Sequence, residues 1–265
     1  MILDDLVARS RQRVAAAKEV EPLEALSERA HNAPPVDRSF VDALRGPGTS
    51  LIAEIKRASP SRGTLNGNLN PAEQACLYAR AGADAVSVLT EPSRFLGSLA
   101  DLVDAHGALS TAGFYTPLLR KDFIVESYQL FEARLAGAAA VLLIVSALER
   151  AQLRLLYDRA VALELTPLVE VHNKAEARAV AALDPIAVGI NNRNLRTFRV
   201  DIETTARLRS LLPPQALVVT ESGIHSPEQV HRLAAIGVDA VLVGEALVTA
   251  PDVSAAVRAL KEAGR

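Results

Sequence analysis

The chain has 265 residues, of which 49% are hydrophobic and only 4% aromatic, and it contains no tryptophan. This length and apolar fraction fit one large α/β domain with an aliphatic core, because single α/β barrels run to about 250 residues. The net charge of −2, with both signs interspersed, excludes a broad basic surface for nucleic acid or an anionic membrane.

The single cysteine, Cys76, excludes an intramolecular disulfide and a metal site built from several cysteines. It lies in an apolar helical stretch and is interpreted as a core residue. Residues 1–18 carry charges throughout, so we expect no signal peptide there. The longest nearly apolar run, residues 136–148, is too short to span a bilayer. A cytoplasmic location with no membrane partner is therefore expected.

The first 48 residues have a different pattern from the rest. Leucine and valine at positions 3, 6, 7 and 14 lie at helical spacing, and a second helix is predicted from Pro35 to Leu44. Gly46-Pro47-Gly48 then interrupts the chain before the first strand. This segment is too short and too polar to bury a core of its own. We predict one domain, residues 1–265, in which residues 1–48 form a helical N-terminal extension packed on the rest.

Short runs rich in β-branched residues then alternate with amphipathic stretches. The predicted strands are Leu51–Arg57, Ala83–Thr90, Thr116–Phe123, Ala138–Ser146, Thr166–His172, Ile186–Arg193, Leu217–Gly223 and Ala240–Gly244. The predicted helices include Ala72–Arg80, Val125–Leu135, Arg150–Leu163, Lys174–Leu183 and Pro227–Ala235. Such alternation indicates successive βαβ units and a parallel sheet.

Helix-start signals support this phasing at Asn70-Pro71, at Ser226-Pro227 and at Asn173, which is followed by Glu176. The predicted fold is an α/β protein of the (β/α)8 TIM-barrel type. An open, doubly wound sheet is the competing architecture. Its dinucleotide-binding version is disfavoured because no G-x-G-x-x-G motif follows the first strand.

Polar side chains recur near the C-terminal ends of four predicted strands, where a core strand is expected to be apolar. Side chains alternate between the two faces of a strand, and this parity groups Glu54, Lys56, Lys121, Glu170, Asn191 and Arg193. Burying charges is costly unless they are paired, and barrel active sites occupy this end of the strands. We predict an active site here, the alternative being a structural ion-pair network. His172 shares the parity of Glu170 but is equally placed to begin the following loop.

The last two strands end in small residues, in Glu221-Ser-Gly-Ile224 and Val243-Gly-Glu-Ala246. Small residues let backbone N–H groups approach an anion, and the loops after the seventh and eighth strands often hold phosphate in this fold. The hydroxyl of Ser59, after the first strand, adds a further donor. These features predict a phosphorylated small-molecule substrate. No cluster of metal ligands is visible, and no metal or other cofactor is expected.

These motifs resemble those of the indole-3-glycerol phosphate synthase family, the tryptophan-pathway barrels, over essentially the whole chain. The matching motifs are Ile52–Gly63, Ser87–Glu91 with Phe95–Ser98, Leu119–Ile124, Leu168–His172, Gly189–Arg193, Glu221–Ile224 and Val243–Glu245. The resemblance implies that 1-(2-carboxyphenylamino)-1-deoxyribulose 5-phosphate is closed to indole-3-glycerol phosphate, with loss of carbon dioxide and water. It implies no cofactor.

The resemblance also implies a role for each catalytic candidate. Lys121 is expected to be the general acid at the substrate carbonyl. Glu170 and Lys56 are expected to serve the later proton transfers and the dehydration. Glu54 is expected to keep the two lysines charged and oriented, and interleaved opposite charges do favour each other's ionised form.

Binding residues are implied in the same way. Asn191 and Arg193 are expected to hold the anthranilate side of the substrate, and Phe95 to line the apolar part of that pocket. The residues expected around the phosphate are Ser59, Ser222, Gly223, Gly244 and Glu245, the last through its backbone N–H.

Three other hypotheses about the function are compatible with the sequence. One is a barrel like phosphoribosylanthranilate isomerase, and another is a Schiff-base aldolase that uses Lys56 or Lys121. The third is a barrel that binds a phosphorylated ligand without catalysis. The enzyme is expected to be a monomer or a weak homo-oligomer.

Overall fold

A computed structural model describes residues 2–36, 38–194 and 197–265. Its eight-stranded parallel sheet closes on itself, because the first strand pairs with both the second and the last. The strands are β1 (Ser50–Ile55), β2 (Ala85–Leu89), β3 (Leu118–Lys121), β4 (Ala140–Ile144), β5 (Thr166–Val171), β6 (Ala187–Asn191), β7 (Leu217–Glu221) and β8 (Ala240–Val243). The predicted (β/α)8 barrel is confirmed, and the open sheet is ruled out.

Helices surround the barrel and precede it. They are α1 (Ile2–Val20), α2 (Leu23–His31), α3 (Phe40–Leu44), α4 (Pro71–Ala81), α5 (Pro92–Phe95), α6 (Leu99–Thr111), α7 (Ser127–Leu135), α8 (Arg150–Ala162), α9 (Lys174–Ala181), α10 (Glu203–Arg209), α11 (Pro227–Ala235), α12 (Glu245–Val248) and α13 (Val253–Ala263). The predicted N-caps Asn70, Asn173 and Ser226 each accept a backbone N–H with their side chains. None of these helices is long and apolar enough to cross a membrane.

One boundary in the N-terminal segment was predicted wrongly. The helix expected from Pro35 to Leu44 begins only at Phe40, because Ser39 caps it by accepting the Asp42 N–H at 3.2 Å. Before that point the carbonyl of Pro34 accepts a hydrogen bond from the Arg134 guanidinium rather than from a helical N–H. The unpredicted helix α2 packs against α7.

Two apolar layers hold the barrel together. Side chains of one parity fill its interior, including Ile52, Leu119 and Leu168, and α3 adds Phe40 and Leu44 at the end where the strands begin. Side chains of the other parity pack against the surrounding helices. The polar side chains of the interior lie at the opposite end, where the strands stop.

Helix α1 lies against that opposite end. The hydroxyl of Ser10 in this helix donates a hydrogen bond to the Phe123 carbonyl at 2.5 Å. The guanidinium of Arg13 has one nitrogen 2.7 Å from the Asp122 carboxylate and another 3.4 Å from the Glu91 carboxylate. Burial alone raises the pKa of Asp122, but the adjacent arginines, Arg13 among them, hold it below its usual value. These contacts attach α1 to the ends of β2 and β3.

Candidate active site

A cavity opens at the C-terminal ends of the strands. All the site residues that were predicted from sequence line this one cavity, namely Glu54, Lys56, Ser59, Phe95, Lys121, Glu170, Asn191, Arg193, Ser222, Gly223, Gly244 and Glu245. They come from loops and strands spread over almost 200 positions of the chain. Closure of the barrel brings them together, since the carboxyl ends of parallel strands meet at the same end of the sheet.

Lys121 stands at the centre of the charged part of the cavity. Its Nζ atom lies 2.8 Å from Glu221 Oε2, 3.8 Å from Glu54 Oε2 and 4.0 Å from Glu170 Oε2. The second lysine, Lys56, lies 2.8 Å from the other oxygen of Glu54. The lysines alternate with carboxylates, so each buried charge has a partner of opposite sign.

Electrostatics fix the charge of this group. Burial opposes the ammonium form of Lys121, but the carboxylates of Glu221, Glu54 and Glu170 outweigh it and raise the pKa of Lys121 above its usual range. Burial also opposes the carboxylate form of Glu54, and there the ammonium groups of Lys56 and Lys121 prevail and lower the pKa. Both side chains are therefore ionised at neutral pH.

The motif Glu221–Ile224 does not by itself indicate that Glu221 lies beside Lys121, where its Oε2 atom is 2.8 Å from Nζ. The signal was present, because Leu217 and Val219 point into the barrel and Glu221 follows at the same parity. Burial and repulsion from Glu170 raise the pKa of Glu221 to about 8, against the pull of Lys121. Its Oε1 atom is buried and has no hydrogen-bond partner in the described chain. A carboxyl group in this state can hold a proton at neutral pH.

Gly189 on β6 gives Glu221 its room. A Cβ atom at this position would lie 3.1 Å from Glu221 Oε1 and 3.7 Å from the Cα atom of Glu170. A side chain here would therefore press on the Glu221 carboxyl group, while its contact with Glu170 would be an ordinary van der Waals contact. Gly244 plays the same part for Glu54, whose carboxylate occupies the space that a Cβ at Gly244 would take. The two glycines, Gly189 on β6 and Gly244 after β8, therefore leave room for the carboxyl groups of Glu221 and Glu54 in the cavity.

The second side of the cavity carries Asn191, Arg193 and Phe95. Asn191 Oδ1 accepts the backbone N–H of Arg193 at 2.9 Å, which fixes the start of the loop after β6. The guanidinium of Arg193 donates to Ser61 Oγ and to the Phe198 carbonyl, each at 3.3 Å. Phe95 lies in a tilted contact with Phe123, with ring centroids 6.3 Å apart. An amide, a cation and an aromatic surface thus face the same space.

The third side is formed by the segments after β1, β7 and β8. Ser222 and Gly223 both have left-handed backbone conformations, with φ of +69° and +80°. The side chain of Glu245 forms an ion pair with Arg62 at 2.7 Å, a partner that the sequence did not indicate. The hydroxyls of Ser59 and Ser61 are 3.5 Å apart. Small residues, hydroxyls and Arg62 therefore surround this corner.

His172 lies outside the residues that line the cavity, although it follows directly after β5. Its ring is placed behind Glu170, with Nε2 3.0 Å from Glu170 Oε1. The predicted core residue Cys76 lies in α4 and packs against the outer apolar layer. Among residues 2–36, 38–194 and 197–265, no group of three or more His, Cys, Asp or Glu side chains is arranged to hold a metal ion.

Comparisons of the sequence with known proteins agree on a single family. A family model described as indole-3-glycerol phosphate synthase matches residues 3–260. An indole-3-glycerol phosphate synthase of Nocardioides sp. is 48% identical over 257 residues, which cover 97% of this chain and 96% of that protein. One of Mycobacterium sp. (strain KMS) is 46% identical over 264 residues, covering 99% and 94%.

Solved structures resemble the chain in fold alone. A 3-hexulose-6-phosphate synthase from Salmonella typhimurium has a TM-score of 0.62 at 14% identity, and the match covers 81% of this chain and 98% of that one. A thiamine phosphate pyrophosphorylase from Pyrococcus furiosus has a TM-score of 0.59 at 16% identity, covering 83% and 96%.

Proposed function

Because the chain belongs to the indole-3-glycerol phosphate synthase family, we propose that its barrel mouth closes the indole ring of indole-3-glycerol phosphate. The substrate is 1-(2-carboxyphenylamino)-1-deoxyribulose 5-phosphate, and carbon dioxide and water are lost. The family makes the chain a carboxy-lyase of tryptophan biosynthesis that acts on a phosphorylated small molecule. The observation that carries the assignment of the site is the buried Lys121 ammonium among three glutamate side chains.

Lys121 is the general acid of ring closure in this proposal. The aromatic carbon attacks the substrate carbonyl, whose oxygen gains negative charge and needs a proton. An ammonium group fixed in a buried site stabilises that charge and can donate the proton. The position of Lys121 at the end of β3, with its Nζ within 4.0 Å of three glutamate side chains, supports this role.

Later steps require loss of carbon dioxide, departure of the new hydroxyl as water and removal of a proton. Glu170 and Lys56 serve these proton transfers, one as a carboxylate base and the other as an ammonium acid. Glu54 supports both lysines, since each of its oxygens faces one of them. A carboxylate base and an ammonium acid in the same cavity suit a reaction that both consumes and releases protons.

Substrate recognition divides between the remaining sides of the cavity. Arg193 pairs with the carboxylate on the aromatic ring, for which a guanidinium offers two parallel donors. Asn191 binds the same side and Phe95 covers the ring. The phosphate lies against Ser59, Ser222, Gly223, Gly244 and the backbone N–H of Glu245, after the strands that hold phosphate in many barrels.

The test is to supply the carboxyphenylamino substrate to the purified chain and to follow indole fluorescence. Product formation without added metal or cofactor is the expected result. A barrel that only binds a phosphorylated ligand, or one that acts as a phosphoribosylanthranilate isomerase, would form no indole from this substrate. Borohydride is the control for a Schiff-base aldolase. It would reduce the imine between the substrate and Lys56 or Lys121 and so leave the substrate covalently bound.

The proposal includes a setting for the enzyme. We place it in the cytoplasm, where tryptophan precursors are made, as a monomer or a weak homo-oligomer. Its residues 1–265 form one domain, of which residues 1–48 are an extension rather than a separate folding unit. Sedimentation of the full chain at several concentrations tests the oligomeric state.

A further inference from the structure

His172 lies between two carboxylates. Its Nε2 atom is 3.0 Å from Glu170 Oε1, off the line of a regular hydrogen bond, and its Nδ1 atom is 3.2 Å from Glu176 Oε2. Its side chain is 10% exposed, and that of Glu170 is 3% exposed. The ring does not line the cavity, so it does not touch the substrate. Any effect of His172 on the reaction must therefore act through Glu170.

Helix capping favours a long polar residue at position 176, and either glutamate or glutamine can serve there. In α7, α9 and α11, the third helical residue accepts the backbone N–H of the residue before the N-cap. The acceptors are Gln129 (from Val125, 2.8 Å), Glu176 (from His172, 2.8 Å) and Gln229 (from His225, 2.7 Å). Two of the three helices are capped by a neutral amide. The carboxylate in α9 differs from these amides in a second contact, because its Oε2 atom also lies 3.2 Å from Nδ1 of the His172 ring.

We propose that the Glu176–His172 pair is a positioning unit that keeps Glu170 ionised and directed toward Lys121. The inference rests on the proposed role of Glu170 as a base and deepens it. Glu176 holds the ring in its charged form from one side, and the charged ring holds the Glu170 carboxylate from the other. His172 itself exchanges no proton with the substrate.

The need for such a unit follows from the geometry around Lys121. Glu170 and Glu221 are neighbouring buried carboxyl groups, and they compete for one negative charge. Lys121 is 4.0 Å from Glu170 but only 2.8 Å from Glu221, so the lysine alone favours the charge on Glu221. The imidazolium of His172, 3.0 Å from Glu170, reverses that preference. It leaves Glu170 as the base and Glu221 as the group that holds the proton.

The protonation states agree with this order. Burial alone would lower the pKa of His172, but Glu170 and Glu176 raise it to about 10. Burial alone would raise the pKa of Glu170, and His172 followed by Lys121 holds it well below its usual range. The other charged groups that face Glu170 are Glu221 from β7, whose hydrogen bond lowers the pKa of Glu170, and Glu54 from β1, whose carboxylate opposes the ionisation of Glu170.

Two variants and one control test the unit. His172→Gln removes the cation, and Glu176→Gln removes the counter-charge while it keeps an amide oxygen for the cap, as in α7 and α11. Asp252→Ala removes the N-cap of α13, whose carboxylate accepts the Ala255 N–H at 2.8 Å and does not line the cavity. It reports what the loss of a helix cap alone does to the enzyme.

The first readout is the proton NMR titration of the imidazole rings, which does not depend on activity. One ring should stay charged through pH 8, be absent from the His172→Gln spectrum, and titrate at least one pH unit lower in Glu176→Gln. A His172 ring that titrates near its ordinary pKa in the unmodified chain would overturn the inference, whether or not the chain makes indole.

The second readout is kcat as a function of pH with the carboxyphenylamino substrate. Because Glu170 must be ionised, the acidic limb of the profile should move to higher pH by at least one unit in His172→Gln. It should move in the same direction in Glu176→Gln. Asp252→Ala should keep the profile of the unmodified chain. Acidic limbs that coincide in all four proteins would overturn the inference, and so would a shift in Asp252→Ala as large as that in the two site variants. Absence of indole in the unmodified chain would instead contradict the proposed function.

Discussion

Replacing Glu221 with glutamine keeps the shape of a buried side chain and removes its charge. In the folded protein the pKa of Glu221 is raised to about 8 from an ordinary value of 4.5, chiefly by burial and then by Glu170. Between these two pH values the folded state keeps a proton that the unfolded state has lost. The contribution of Glu221 to stability therefore falls as the pH rises through this window.

The size of the effect follows from the two pKa values. One pKa unit corresponds to about 1.4 kcal/mol, so the carboxyl group becomes less favourable to folding by about 3 kcal/mol between pH 5 and pH 8. Glutamine does not titrate, and its amide oxygen still accepts from Lys121. Glu221→Gln should thus gain stability relative to the unmodified chain as the pH rises, by about 3 kcal/mol over this interval.

Urea unfolding at pH 5 and pH 8, followed by circular dichroism for both proteins, measures this difference. Glu19→Gln, the same substitution at an exposed position outside the cavity, is the control for loss of a carboxylate in general. A stability difference between Glu221→Gln and the unmodified chain that is the same at both pH values would show that the fold does not raise the pKa of Glu221. It would mean that Glu221 is ionised throughout.

Two further changes test separate parts of the molecule. Ser222→Gly keeps a left-handed backbone at φ +69° without strain but removes the hydroxyl. Its KM should rise about fivefold, the loss of about 1 kcal/mol of hydrogen bonding, with kcat nearly unchanged, and an unchanged KM in steady-state assays would separate Ser222 from the phosphate. Arg13→Met leaves the buried carboxylates of Asp122 and Glu91 without this cation. Urea unfolding at pH 7 should show a loss of about 2 kcal/mol, and a loss under about 0.5 kcal/mol would show that the contact between α1 and the barrel contributes little.

The barrel and most of its mouth are predictable from sequence because both depend on local periodicity. Alternation in the first strand places Glu54 and Lys56 on the inner face, and alternation in the third separates Lys121 from Arg120, whose guanidinium is buried outside the barrel with Asp122 and Glu132. The predicted strands ran on past the sheet, since Lys56 and Arg193 lie beyond the ends of β1 and β6. Polar residues there leave the hydrogen-bonded ladder to face the cavity.

Sequence periodicity does not predict which distant segments of the chain come into contact. The contacts of Glu221 with Lys121 and of Arg62 with Glu245 join segments far apart in the sequence, and the sequence does not show which residues meet. The start of α3 also depends on a long-range contact, because Arg134 holds the Pro34 carbonyl. The charge state of Glu221 follows from such contacts too, so it appears only when the barrel is closed.

The role of Lys121 as the general acid is tested by comparing kcat for Lys121→Met with that of the unmodified chain, using indole fluorescence. Lys261→Met is the matched control, because Lys261 forms a partly buried ion pair with Asp84 and does not line the cavity. We expect Lys121→Met to lower kcat by about 100-fold or more, which is about 2.7 kcal/mol of barrier, while Lys261→Met stays near the unmodified value. A folded Lys121→Met protein with near-normal turnover would contradict it.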